Sequence, residues 1–109
     1  MNKNVYAAVM ARADGVCECG CGQAFGSTIF DRGTLDHFFS KAKAPEDEAH
    51  CWALRADHHR AKTDSEPSAS FWLKRWLVHC EKYGYRAAYD RAFRRLQFVE
   101  QRAAFGRSA

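Results

Sequence analysis

Hydrophobic residues recur at helical spacing near the start of the chain. Ala8 and Val9 lie three and four residues after Val5, and Gly15 follows as a residue that commonly ends helices. The pattern predicts an N-terminal helix within residues 1–15.

Two longer helical patterns occupy the C-terminal part. From Ser68 to Tyr83 one stripe consists of Trp72, Trp76, Cys80 and Tyr83, joined by Phe71, Leu73 and Leu77. Gly84 interrupts the pattern, and from Tyr85 to about Ala104 a second stripe consists of Ala88, Ala92, Leu96, Val99 and Ala103, flanked by Tyr89 and Phe93. Two apolar stripes separated by a glycine predict a helical hairpin within residues 67–109.

The middle of the chain, residues 16–66, has a different pattern. The stretch "VCECGCGQAFGS" holds too many Gly and Cys residues for a regular element and predicts a metal knuckle or a tight loop. The runs "GTLDHFF" and "HCWAL" are short and extended, and a polar loop containing Pro45 separates them. "ADHHRAKTDSE" favours a helix with Asp57 as N-cap, ending near Pro67. We therefore predict an α+β fold in one domain, residues 1–109.

Length and composition narrow the class of protein. A chain of 109 residues can build one modest core, and its 47% hydrophobic and 28% charged residues are typical of a globular domain. No run is long and apolar enough for a membrane span, and the first residues lack the pattern of a signal peptide. We expect a cytoplasmic protein, in which the five cysteines are metal ligands or buried thiols rather than disulfides.

Charge is unevenly distributed. Residues 68–109 contain nine Lys/Arg and three Asp/Glu, a net +6, whereas residues 1–67 carry −2 of the overall +4. Such a basic segment is typical either of a surface that holds a polyanion or of a solvated helix face. Charge alone favours the second interpretation.

The Asp-His dipeptide occurs twice, as "LDHFF" (35–39) and "DHHRAKT" (57–63). If the strand–loop–strand–helix unit folds back on itself, Asp36 and His59 can hold one divalent ion, and His37 would face the same cleft. A hard cation prefers carboxylate oxygen and accepts one imidazole, while a neutral imidazole can take a proton from water. One cation and one histidine suffice for phosphodiester hydrolysis.

At this point the sequence resembles the HNH endonucleases, which have the ββα-metal fold. The resemblance runs from about Val16 to Thr63 through "CECGCG", "LDHFF" and "HCWALRADHHRAKT". It implies a ββα-metal core in which Asp36 and His59 bind the cation and His37 is the general base.

The same resemblance assigns two further residues. His50 falls where the family usually has its middle Asn, which braces the loop and orients the base, and Lys62 would lie near a phosphate. The chain departs from the pattern here, because its only Asn residues are Asn2 and Asn4. An imidazole can donate and accept hydrogen bonds as an amide does, but it has a single donor.

Members of the family that contain a structural zinc ion have Cys-x-x-Cys before the final His. Here Arg55 and His58 stand at those positions. A structural zinc site could still form from Cys17, Cys19 or Cys21 with His58, since thiolate and imidazole both suit Zn²⁺.

For the remaining reactive or aromatic residues, a structural role is the more common one. We expect Cys51, Cys80 and His79 to pack in the interior, and the Trp72–Trp76 stripe to be core. If the chain is a nuclease, the Arg-rich face of the last helix, with Arg91, Arg94 and Arg95, becomes a candidate for phosphate contacts.

Three functions compete. The first is a metal-dependent HNH endonuclease acting on DNA with Mg²⁺, Mn²⁺ or Ni²⁺, in a phage or mobile-element setting, as a monomer, a homodimer or with a partner protein. The second is a non-catalytic, zinc-stapled DNA-binding or assembly protein on the same fold, favoured by His50 in place of Asn. The third is a Cys/His redox or metal-storage module.

Overall fold

The computed structural model describes residues 3–40, 42–64 and 69–107. In these ranges the chain forms four α-helices, a one-turn 3₁₀ helix and a two-stranded antiparallel sheet, which confirms the α+β class. It folds as two compact units, one within Met1–Asp64 and the other within Ser65–Ala109. The first unit contains α1 (Lys3–Ala13), β1 (Gly33–His37), the 3₁₀ helix (Glu48–His50), β2 (Cys51–Arg55) and α2 (Ala56–Thr63). The second contains α3 (Ala69–Tyr83) and α4 (Arg86–Arg107).

The register of the sheet decides which side chains share a face. Leu35 pairs with Ala53, and His37 pairs with Cys51. Because successive side chains of a strand point to opposite faces, these four residues project from one face. The residues between them, Asp36 and its partner Trp52, project from the other.

Helix α1 covers the first of these faces. Val5, Val9 and Ala13 of the helix form a buried cluster with Leu35, Cys51 and Ala53 of the strands. Cys51 is fully buried, as the sequence predicted. This core is small, and a unit of this size commonly needs an additional staple such as a structural metal.

A buried ion pair connects α1 to the segment that follows it. The guanidinium of Arg12 donates to both carboxylate oxygens of Glu18 at 2.8 Å, and the two side chains are 9% and 4% exposed. Arg12 also donates to the carbonyls of Glu48 and Cys51 at 2.7 and 2.8 Å. Glu18 in turn accepts from the backbone N–H of Ala53 at 3.0 Å. One arginine thus holds four segments of the unit together.

The cysteine-rich segment is a tight loop, as predicted. It is closed by an isolated bridge between Val16 and Ala24 and by the Cys17 N–H, which donates to the Gln23 carbonyl at 2.9 Å. Gly20 and Gly22 have φ of 89° and 76°, which side-chain-bearing residues rarely adopt. The glycines therefore allow the chain to reverse between the cysteines.

Two local predictions in this unit are wrong. Asp57 is not the N-cap of α2 but its second residue; Arg55 is the N-cap, without a side-chain cap, and its guanidinium donates to Asp57 at 2.8 and 3.1 Å. The ion pair takes the carboxylate that capping would require. His50 is not in the second strand, because the Asp47 carboxylate accepts its backbone N–H at 3.0 Å and caps a 3₁₀ turn there. Pro67 lies outside the described residues.

The second unit is the predicted helical hairpin. Trp76, Cys80, Ala88 and Ala92 are at most 1% exposed and form its interior together with Trp72, Leu73 and His79, as expected. Gly84, at φ 74°, reverses the chain while the Tyr85 N–H donates to the Cys80 carbonyl at 2.9 Å. Three residues placed in or beside the stripes differ from the prediction: Phe71 is 50% exposed, Phe93 is 43% exposed, and Ala103 is also exposed. Phe71 and Ala103 lie near the outer ends of the hairpin.

Candidate metal centres

Three cysteines and one histidine converge beside the start of α2. We call Cys17, Cys19, Cys21 and His58 the Cys₃His cluster; their ligand atoms all lie within 4.8 Å of one another. The Nδ1 atom of His58 lies 3.4 Å from Cys17 Sγ and 3.5 Å from Cys19 Sγ. The loop supplies the thiols, and the first turn of α2 supplies the imidazole.

The separations suit a tetrahedral ion. With Zn–S of about 2.3 Å and Zn–N of about 2.0–2.1 Å, tetrahedral angles put sulfur and nitrogen ligands about 3.5 Å apart and two sulfurs about 3.8 Å apart. The sulfur–nitrogen distances match this value, and the two sulfurs of Cys17 and Cys19 are slightly closer, at 3.4 Å. Three thiols and one imidazole are a donor set typical of structural zinc.

Electrostatics favour a thiolate within the cluster. The pKa of Cys17 is lowered, chiefly because the Cys19 thiol donates to its sulfur, and also because backbone N–H groups, including that of Arg55, point at it. The pKa of Cys19 is raised because it shares that proton with its neighbour and is buried. A divalent cation would remove this competition by stabilising all the sulfurs as thiolates.

A second group of side chains lies on the face of the sheet that α2 covers. Asp36 is 4% exposed, and its Oδ2 accepts from the indole N–H of Trp52 at 2.8 Å. Its Oδ1 lies 3.2 Å from His59 Nε2. The ammonium group of Lys62 lies 3.2 Å from Oδ2, and it also donates to the Phe38 carbonyl at 3.4 Å. The structure therefore brings Asp36, His59 and Lys62 together, although they lie up to 26 residues apart in the chain.

His37 lies next to this group but leaves β1 on the other face. Its Nε2 atom is 3.6 Å from the Glu46 carboxylate, which is too far for a hydrogen bond. That His37 shares a cleft with Asp36 and His59 stays a prediction.

His50 is buried beside the loop that joins the two strands. It is 5% exposed, and its ring Nδ1 lies 2.7 Å from Asp47 Oδ1. Its carbonyl accepts from the Phe38 N–H at 3.3 Å, directly after His37. His50 thus contacts the loop through its ring and the residue after β1 through its backbone carbonyl.

The candidate nucleic-acid contacts fall in both units. Lys62 is engaged by Asp36, as described above. In α4, Arg94 and Arg95 are exposed and Arg91 is partly buried, while the Arg95 guanidinium lies 5.4 Å from the centre of the Phe98 ring. Exposed arginines of this kind are available to phosphates.

Sequence reasoning missed four residues around these groups: Thr34, Glu46, Asp47 and Trp52. Thr34 contacts His59 of α2, Trp52 contacts Asp36 across the sheet, and Glu46 and Asp47 lie near His37 and His50 from the loop. The sequence could have revealed Trp52 only through the strand register. An antiparallel alignment of "LDH" with "CWA" places Trp52 opposite Asp36.

The chain matches no protein-family model, no curated protein and no solved structure in comparisons with these three groups. Among the helices of the described residues, none combines the length and the apolar character that a membrane crossing requires.

Proposed function

We propose that the chain is a metal-dependent HNH endonuclease that hydrolyses DNA phosphodiester bonds. In this proposal β1, β2 and α2 form a ββα-metal core. The observation that carries it is the opposition of Asp36 Oδ1 and His59 Nε2 at 3.2 Å, on a buried strand and on the helix that follows the sheet.

The distance and the donor types fit a divalent cation. Two adjacent ligands of an octahedral ion at about 2.1 Å are separated by about 3.0 Å. Oxygen with nitrogen suits Mg²⁺, Mn²⁺ or Ni²⁺ better than a thiolate set would. With only two protein ligands, most coordination positions remain for water and for a phosphate.

The bound cation would neutralise charge on the scissile phosphate and on its leaving oxygen. Asp36 and His59 would hold it, and the Trp52 indole N–H would keep the Asp36 carboxylate oriented. His37 would take a proton from the attacking water at a ring nitrogen. His50 and Asp47 would brace the loop next to the base.

Lys62 would respond to the cation. Its ammonium group lies 3.2 Å from the Asp36 carboxylate. When a divalent cation binds Asp36, repulsion favours movement of the lysine toward the DNA, where it would contact a phosphate.

The Cys₃His cluster would hold a structural Zn²⁺ that fixes the start of α2. Arg91, Arg94 and Arg95 of the basic hairpin would add phosphate contacts that do not depend on base sequence.

The experiment is plasmid nicking by the full-length protein with Mg²⁺, Mn²⁺ or Ni²⁺. We expect His37→Ala and Asp36→Asn to reduce the rate by at least about 100-fold, the scale of general-base and metal contributions. Arg60→Ala is the matched control, because Arg60 lies on α2 with an 86% exposed side chain. Equal cleavage by wild type and His37→Ala would refute the role of His37, and no cleavage with any of these metals would refute the enzyme.

A second function is favoured by the Lys62–Asp36 ion pair, which supplies a positive charge to the buried carboxylate without a metal. In that case the chain is a zinc-stapled DNA-binding or assembly protein. It would bind DNA and retain zinc, but Asp36→Asn would leave DNA affinity unchanged and no divalent cation would support cleavage.

A further inference from the structure

Thr34 connects β2 to the ring of His59. Its hydroxyl Oγ1 lies 2.8 Å from the Leu54 carbonyl oxygen and 3.0 Å from His59 Nδ1. Thr34 and Asp36 project from the same face of β1, toward α2. The hydroxyl therefore contacts the far side of the ring whose Nε2 faces Asp36.

The hydroxyl has a single proton, and this decides the direction of both hydrogen bonds. The Leu54 carbonyl can only accept, so the threonine O–H donates to it. The remaining interaction uses a lone pair of the hydroxyl, which requires a proton on His59 Nδ1. In the neutral ring, Nε2 is then unprotonated.

The consequence appears between His59 and Asp36. In this tautomer the Nε2 lone pair would face Asp36 Oδ1 across 3.2 Å. Two acceptors at this distance repel each other unless a proton or a metal cation lies between them. The threonine thus prepares the imidazole as a ligand before any cation binds.

We propose that Thr34 is a positioning residue that holds His59 in the Nδ1–H tautomer, with Nε2 available as a metal ligand. This inference rests on the proposed cation site. Outer hydrogen bonds to a ligating histidine commonly change metal affinity by about 10- to 100-fold.

Three variants distinguish the effect of the Thr34 hydroxyl from the effect of side-chain shape. Thr34→Val keeps the shape of the side chain and removes the hydroxyl, whereas Thr34→Ser keeps the hydroxyl and should rescue. Thr63→Val is the matched control, because its hydroxyl donates to the backbone carbonyl of His59 at 3.0 Å rather than to the ring.

The first measurement is ¹⁵N NMR of the ring nitrogens in full-length, zinc-loaded protein without other divalent ions, at about pH 8.5, where free imidazole is neutral. We expect the Nδ1–H tautomer for His59 in wild type, Thr34→Ser and Thr63→Val, and a shift toward Nε2–H in Thr34→Val. An Nε2–H ring in the wild type would overturn the proposal, even if Thr34→Val failed to fold.

The second measurement is Mn²⁺ binding by calorimetry. We expect Thr34→Val to weaken binding by about 10- to 100-fold and the two other variants to stay near wild type. Unchanged affinity in Thr34→Val would overturn the proposal. Wild-type protein that shows the expected tautomer and binds Mn²⁺ but does not nick DNA would support the role of Thr34 while refuting the nuclease.

Discussion

Adjacent residues of α2 belong to two different donor sets. His58 joins three thiols, and His59 faces one carboxylate. The Cys₃His cluster has four protein donors, enough to complete a tetrahedral shell. The proposed Asp36–His59 site has two, which would leave an ion open to water and to a phosphate.

In the proposed function, the first site would stabilise the fold and the second would take part in hydrolysis. A closed shell of soft donors holds zinc and has no position for a reactant, whereas an open pair with a hard oxygen can share its ion with a phosphate. Neighbouring positions in one helical turn point about 100° apart. One short helix could therefore serve both purposes.

The largest expected effect follows removal of zinc. Structural zinc supplies about 10–16 kcal/mol to small zinc-finger peptides, and the core of this unit is also small. We expect phenanthroline to unfold it, as measured by circular dichroism and NMR, whereas omission of Mg²⁺ and Mn²⁺ should leave it folded. A cooperative unfolding transition unchanged by zinc removal would show that the cluster is not a structural site.

The adjacent histidines should respond in opposite ways to substitution. His58→Ala removes a zinc ligand and should cost several kcal/mol of unfolding free energy, a share of the roughly 10–16 kcal/mol above. His59→Ala removes one hydrogen bond, worth about 1 kcal/mol, but should abolish Mn²⁺ binding and DNA cleavage. Denaturant unfolding and calorimetry measure the two effects; equal losses of stability would remove the distinction between the sites.

Substitution of Arg12 tests how much protein contacts contribute to holding the cysteine-rich loop in place. Removing one partner of a buried ion pair costs about 3–5 kcal/mol, because the other charge stays buried. We expect this loss for Arg12→Ala in chemical denaturation, since Glu18 is only 4% exposed. The exposed pair of Arg60 and Asp64 is the comparison, and Arg60→Ala should change stability by less than about 1 kcal/mol. Similar values for the two variants would contradict the prediction.

An effect confined to alkaline pH concerns Cys51, a thiol outside the cluster. Burial, assisted by the nearby carboxylates of Asp47 and Glu46, raises its pKa from 9.0 to about 12. The folded state thus favours the neutral thiol, so this contribution is complete below pH 9.0 and is lost as the pH rises toward 12. The loss is at most about 1.4 kcal/mol per pH unit. Unfolding of Cys51→Ala should depend less on pH in this range; an identical pH dependence would contradict the prediction.

The sequence was sufficient to predict much of the fold. Helical periodicity located α1, α3 and α4 within a few residues, and the density of Gly and Cys identified the loop that contains the thiols. It failed at His50 and Asp57, where one carboxylate binds a backbone N–H and another binds an arginine. Such local competition between hydrogen bonds and ion pairs leaves no periodic signal.

Sequence by itself determined the donor types: three thiols in five residues, an Asp-His in an apolar run, and two histidines at the start of a helix. Only the tertiary structure decided their partners, because sheet register and helix packing join residues that are distant in the chain. It assigned His58 to the thiols and His59 to Asp36, and it set Thr34 behind the ring. The type of a residue determines which atoms it can bind, whereas the distances between side chains are set only when the backbone folds.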